Sequence, residues 1–169
     1  MLTLLRPAQA SPPLPESEVA PAYKRLRTQV FTGIFLGYVA SYLIRKNLSL
    51  AMPDVLDAHP ELTKAMLGGP LTWLSLTYGV SKFLMGTVSD RSNPRWFLFI
   101  GLLLSALIQA YCGLDKSLYG SLATLSVLQA ANGWVQGMCW PPCGKSIVHW
   151  FGRSERGRAV SVWNVSHNV

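Results

Sequence analysis

Arg45 and Lys46 sit side by side inside an apolar run that extends from about Val30 to Met52. A guanidinium presents a planar fork of donors that fits a phosphate or carboxylate, and a lysine adds a mobile point charge. The pair is therefore chemistry for an anion. In water such cations would turn outward at no cost, but near a bilayer centre each costs roughly 2.5–3.5 kcal/mol on insertion scales. They must face a cavity or a partner, or reach for the membrane surface. Tyr38, Tyr42 and Arg45 are four and three residues apart and share one helical face, with Lys46 beside it. On the next apolar run Tyr78 and Lys82 are four apart, with Ser75 on the same face. Tyrosines at membrane edges form interfacial belts, whereas Tyr38 lies mid-run, so cavity lining is the expectation here. Snorkelling is the alternative for Arg45, toward the outer surface, and for Lys82, toward the inner one. At about 1.5 Å per residue the two cations differ in depth, and only tilt or a helix break would join them.

Other spacings point to packing rather than chemistry. Gly33, Gly37 and Ser41 form a stripe of small residues that lets helices approach closely. Cys139 and Cys143 are four apart around Pro141-Pro142, but no His or carboxylate completes a metal set, so they are expected to pack, and no metal is expected. No nucleophile–base set or phosphate-cradling glycine loop stands out, which argues against an enzyme and against a cofactor. Asp90, Arg91 and Arg95 surround a short turn, and suit a charge latch between helices that must also separate.

The elements that must position these residues are membrane helices. Of 169 residues, 50% are hydrophobic and only 14% charged, against about 25% charged in soluble domains. The net charge of +7 does not indicate nucleic acid, because the basic residues fall in short connections and at isolated sites within apolar runs. Four spans are expected, each near the roughly 20 residues a bilayer requires: Val30 to Met52, Ala65 to Val88, Trp96 to Leu114, and Leu118 to about Trp140. Cys143 to Phe151 would extend the fourth, and a fifth starts at Ala159 and reaches Val169 after about half a span. The sequence thus reads as the start of a longer chain. Residues 1–23, rich in Pro, Ala and Ser, read as a flexible tail, leaving 24–169 as the helical part. Lys24, Arg25 and Arg27, then Arg91 and Arg95, then Arg153, Arg156 and Arg158 occupy alternate connections. The positive-inside rule then puts the N-terminus in the cytoplasm.

Longer motifs carry a resemblance. Tyr42-Leu43-Ile44-Arg45-Lys46-Asn47, Tyr78-Gly79-Val80-Ser81-Lys82-Phe83, Ser89-Asp90-Arg91-Ser92-Asn93-Pro94-Arg95 and Glu155-Arg156-Gly157 resemble the organophosphate:phosphate antiporters of the major facilitator superfamily. Gly133 to Met138, Trp140-Pro141-Pro142-Cys143-Gly144, His149-Trp150 and Ser161 to Asn164 with His167-Asn168-Val169 resemble its glycerol-3-phosphate branch more than its hexose-phosphate branch. Asn93, Pro94, Cys139 and Lys145 depart from the usual pattern, which has Gly, a basic residue, Gly and Arg there.

The resemblance implies an all-α membrane protein, the incomplete N-terminal six-helix half of a twelve-helix transporter, multi-pass in the inner (plasma) membrane. By the same resemblance Arg45 is a phosphate-binding arginine, and Lys46, Lys82 and His167 are accessory cations. Tyr38, Tyr42 and Tyr78 line the cavity, Trp140 and Asn164 are polar cavity positions, and Asp90, Arg91, Arg95, Glu155 and Arg156 form a cytoplasmic gate. A second arginine would come from the C-terminal half. The implied activity is uptake of glycerol 3-phosphate, or a related organophosphate, in exchange for inorganic phosphate. A membrane sensor, a hexose-phosphate transporter and an inactive truncated product are the alternatives. For His167, tuning affinity with pH and a helix-packing hydrogen bond stand equal.

Overall fold

A computed structural model of the chain describes residues 5–6 and 12–168, and the regular structure of these residues is entirely helical. Helix α1 spans Glu16–Ala58, α2 Lys64–Asp90, α3 Pro94–Leu114, α4 Leu122–Gln136, α5 Trp140–Trp150 and α6 Arg153–Asn164, with short 3-10 turns at Lys116–Gly120 and Val165–His167. Residues 16–23, within the stretch expected to be a flexible tail, are helical, while residues 1–4 and 7–11 lie outside the described residues. Glu16 and Glu18 occupy the first turn of α1, where negative charge complements the helix dipole. At 43 residues the helix is about 65 Å long, so it outruns a bilayer core of about 30 Å.

The caps explain two departures from the usual motif. Asn93 Oδ1 accepts from the Arg95 amide at 3.1 Å, and Pro94 takes the first helical position of α3, where its missing N–H costs nothing. Thr63 caps α2 in the same way, accepting from the Met66 amide at 3.3 Å. At the far end of α3, Asp115 accepts from the Ser117 amide at 3.1 Å and from its hydroxyl at 2.6 Å. Those bonds hold its carboxyl below the ordinary Asp range.

The expected fourth span is not one helix. It starts at Leu122 rather than Leu118, and stops at Gln136. Turns at Gly137–Cys139 then lead into α5, which has prolines in its first turn. Prolines are tolerated in a first helical turn but would break a continuing ladder, so the chain restarts there. Among the described residues α3 alone is long and apolar enough to cross a membrane by length and composition. Buried polar side chains lie on α1 to α5 alike, α3 included through Ser105 and Gln109.

Helix α2 lies along α4 as the closest pair, and α3 packs between α1 and α4, while α5 touches α1, α2 and α3. Two apolar clusters hold the ends of this bundle. One gathers Ile34, Tyr38, Leu98, Cys139, Cys143, Ile147, Ala159 and Trp163; the other gathers Val55, Leu62, Leu67, Cys112, Leu118 and Leu125. Between them along α1, α3 and α4 lies a buried polar layer of Ser41, Ser105, Gln109, Gln129, Asn132 and Gln136.

Gly133 and Gly137 set the α2–α4 distance. A Cβ at Gly133 would collide with the Leu74 carbonyl and Thr77 Oγ1, and one at Gly137 with Ser81 Oγ. In that close approach Thr77 donates to the Ala130 carbonyl at 2.8 Å and Ser81 to the Trp134 carbonyl at 2.5 Å. The stripe expected to pack was on α1, and there the outcome is mixed. Gly37 abuts Leu98 and Ser41 is buried, but a Cβ at Gly33 would meet nothing within 4 Å.

Candidate functional site

Tyr78 is the hinge of the site, because both separated cations close on its ring. Arg45 Cζ lies 3.7 Å from the Tyr78 centroid and 5.1 Å from that of Tyr42. Lys82 Nζ lies 5.8 Å from Tyr78 and 4.4 Å from Trp140. Aromatic faces are negative, so each ring stabilises a cation by about 0.5–2 kcal/mol depending on desolvation. The depth difference read from α1 and α2 is thus bridged by side chains. Both cations rest against aromatic rings of the bundle.

A second aromatic layer lies behind them. Tyr38, only 2% exposed, has its hydroxyl 3.4 Å from that of Tyr78. Its ring centroid is 4.7 Å from Trp163 and 4.7 Å from His167, and His167 also lies 5.0 Å from Tyr42. His167 Nδ1 is 2.9 Å from the Asn164 backbone oxygen. A carbonyl only accepts, so Nδ1 donates, leaving Nε2 to accept when the ring is neutral and to donate when it is charged. His167 thus makes the local hydrogen bond of the packing expectation, and its ring lies against Tyr38 and Tyr42.

Arg45 is held from its rear. Its Nε donates to Gln136 Oε1 at 2.6 Å, and Gln136 is 1% exposed. Gln136 Nε2 donates in turn to Ser105 Oγ at 3.0 Å and to the Ser41 carbonyl at 3.4 Å, and Ser105 donates to Asn132 Oδ1 at 2.6 Å. Gln129 Nε2 donates to Gln109 Oε1 at 3.1 Å, and Gln109 Nε2 to the Ile44 carbonyl at 3.1 Å. Gln129, Asn132 and Gln136 are three and four residues apart on α4, a polar stripe inside an apolar run that the sequence itself displays. Trp163 joins the site from α6; it is 3% exposed and its Nε1 has no partner among the described residues.

Two expected site residues lie apart from this group. Lys46 is exposed, and Asn164 is exposed with only its backbone oxygen engaged. Among the described residues no carboxylate forms an ion pair with Arg45, Lys46 or Lys82.

The residues expected at a gate occupy the opposite end of the bundle from Asp115. Asp90, Arg91 and Arg95 are exposed, and the ion pair formed there joins Arg27 Nη1 to Glu155 Oε2 at 2.8 Å. The Glu155 carboxylate raises the Arg27 pKa above its ordinary value, and Arg27 also lies over the Phe151 ring at 4.4 Å. Arg156 donates to the Phe151 carbonyl at 2.9 Å and the Val148 carbonyl at 2.8 Å. Lys145 Nζ donates to the carbonyls of Ser89, Asp90 and Ser92 at 3.0, 2.8 and 3.2 Å. Three donors meet three carbonyls at the end of α2, a task that fits an ammonium and accounts for lysine at this position. A cleft of about 790 Å³, lined in part by Trp140, Trp163, Asp90, Lys145 and Arg156, runs from the aromatic wall to this end.

The model of the Major Facilitator Superfamily matches residues 34–169. The glycerol-3-phosphate transporter of Bacillus subtilis (strain 168) is 46% identical over 169 residues, covering 100% of this chain and 38% of that protein. The glycerol-3-phosphate transporter of Haemophilus influenzae is 48% identical over 164 residues, 97% of this chain and 34% of that protein. The membrane sensor protein UhpC of Escherichia coli (strain K12) is 37% identical over 170 residues, 100% of this chain and 38% of that protein. This chain therefore spans little more than a third of the length of such relatives.

Proposed function

This chain belongs to the major facilitator superfamily, a family of multi-pass membrane proteins, and from that premise we propose that its cationic wall binds the phosphate group of glycerol 3-phosphate, or of a close organophosphate, in exchange for inorganic phosphate. One observation carries this reading: Arg45 and Lys82 converge on Tyr78 with no carboxylate paired to either among the described residues. A phosphate monoester brings about −1.5 to −2 charges near neutral pH, enough to balance two cations. With Nε engaged by Gln136, the terminal Nη1 and Nη2 atoms of Arg45 form the edge that a phosphate takes in bidentate fashion. Lys82 supplies the second charge, and the hydroxyls of Tyr38 and Tyr78 donate to remaining oxygens. His167 adds a donor at Nε2 when protonated.

A site lined by half-buried cations is most stable when an anion occupies it, which favours exchange over release into an empty state. No bond is made or broken in this reading; translocation is rocking of two halves about a central site, the second half supplying the facing wall. The gathering of Arg27, Arg95, Arg153, Arg156 and Arg158 at one end supports a cytoplasmic N-terminus under the positive-inside rule. The test is exchange of labelled inorganic phosphate against glycerol 3-phosphate by the full-length protein in proteoliposomes. Phosphate binding without exchange would favour a membrane sensor instead, a reading supported by the 37% identity to the UhpC protein. No binding of either anion would overturn both.

A further inference from the structure

We infer that Gln136 is a positioning residue: a neutral acceptor that orients the Arg45 guanidinium for the anion without cancelling its charge. The inference rests on the phosphate reading above and deepens it. Three observations carry it. The 2.6 Å bond from Arg45 Nε to Gln136 Oε1 occupies the guanidinium proton nearest the chain and leaves the outer edge free. Gln136 is 1% exposed and is itself clamped, through Nε2, to Ser105 Oγ and the Ser41 carbonyl. Arginine has no acceptor atom, so the oxygen of the amide must face Arg45 and the nitrogen must face Ser105. The direction of the whole relay follows from that one constraint, through Ser105 to Asn132 Oδ1.

The identity of the acceptor matters as much as its place. A glutamate at position 136 would have the same length and bind the same proton, but it would form a buried ion pair with Arg45. An incoming phosphate would then compete with a fixed carboxylate in a low-dielectric site, where opposite charges attract strongly. An amide accepts the proton and leaves the full positive charge to the ligand. Gln136 ends α4 immediately before the break at Gly137–Cys139. The same short turn brings Trp140 to Lys82, so one junction orients a partner for each cation.

The experiment compares Gln136→Met and Gln136→Glu with the parent, using the full-length protein in nanodiscs and inorganic phosphate as the probe. The expected order of affinity is parent, then Gln136→Met weaker by about 10-fold, then Gln136→Glu weaker still. A residue that merely ties α1 to α4 predicts the reverse, because glutamate keeps the bond to Arg45 and methionine loses it. Affinities within twofold of the parent for both variants, or glutamate equal to the parent, overturn the inference. Should Gln136→Met not fold, Ser105→Ala releases the amide from its second anchor without touching Arg45, and a loss of several-fold is expected; no loss counts against the role. A second readout does not involve phosphate. The Arg45 Nε–H, assigned by its disappearance in Arg45→Lys, should exchange slowly with solvent in the parent and rapidly in Gln136→Met. Rapid exchange in the parent overturns the positioning role. Slow exchange with no phosphate binding by the parent upholds it and rejects the phosphate reading instead.

Discussion

Replacing Arg45 by lysine keeps one positive charge and removes the fork. The Lys ammonium cannot hold Gln136 behind and present two parallel donors ahead, so both roles of the guanidinium are lost together. Phosphate affinity of the full-length protein is expected to fall about 100-fold, roughly 2.7 kcal/mol, while thermal stability changes little. Near-normal exchange in Arg45→Lys would mean that charge alone is read at this position. At the other end of the bundle, the Asp115 carboxyl is held below its ordinary range by its bonds to Ser117. A depressed folded pKa means a contribution that is present above the unfolded value and is lost as pH falls through the folded one. The 3-10 turn Lys116–Gly120 should therefore loosen only in acid, read as faster hydrogen exchange at the Ser117 amide, and Asp115→Asn should show no such pH dependence.

Helix α4 can lie so close to α2 only because Gly133, and Gly137 just beyond its end, lack a side chain. Gly133→Ala would drive a methyl into the Leu74 carbonyl and Thr77 Oγ1, and overpacking of this kind costs about 1–3 kcal/mol. Gly33→Ala would meet nothing within 4 Å, and alanine is the better helix former by up to about 1 kcal/mol. Thermal unfolding in detergent should thus show a lower midpoint for Gly133→Ala and an unchanged or higher one for Gly33→Ala. The collision reaches the site as well. Separating α2 from α4 would pull Lys82 from Trp140 and Tyr78 from Arg45, so Gly133→Ala should weaken phosphate binding despite lying outside the cationic group. Lys145 shows the same logic in a gentler form: by capping the end of α2 with three hydrogen bonds it fixes the helix that carries Tyr78 and Lys82.

Across the molecule, the long first helix works as a strut. Tyr23 donates to the Trp150 carbonyl at 2.7 Å and stacks on its ring, and Arg27 reaches Glu155. The start of α1 is thereby fastened to the α5–α6 connection, while the middle of α1 carries Tyr38, Tyr42 and Arg45. Movement of α6, which leads into His167, must therefore be felt at this fastening. Arg27→Glu places two carboxylates face to face, and exchange by the full-length protein is expected to slow several-fold. The swap Arg27→Glu with Glu155→Arg should restore it, because charge complementarity rather than either side chain is required. Failure of the swap to restore exchange would assign Arg27 a different partner.

The sequence alone determined the class of the protein and where its cationic and aromatic side chains fall along each helix. Charges are scarce and clustered, which implies membrane helices, and the spacing of Tyr38, Tyr42 and Arg45 places them on one face whatever surrounds it, because helical periodicity is local. The motif around Arg45, Lys82 and His167 carried the family resemblance. Distance between helices is not local, and there the tertiary structure decided. It joined Arg45 to Lys82 through Tyr78, although residue counting set them at different depths. It set Lys46 and Asn164 apart from the cationic group, and it divided the fourth span at Gly137–Cys139, just before the prolines that open α5. It also turned Gln129, Asn132 and Gln136 inward. A polar side chain in an apolar run signals that some partner exists, but only the packed bundle shows that the partner of Gln136 is the arginine itself.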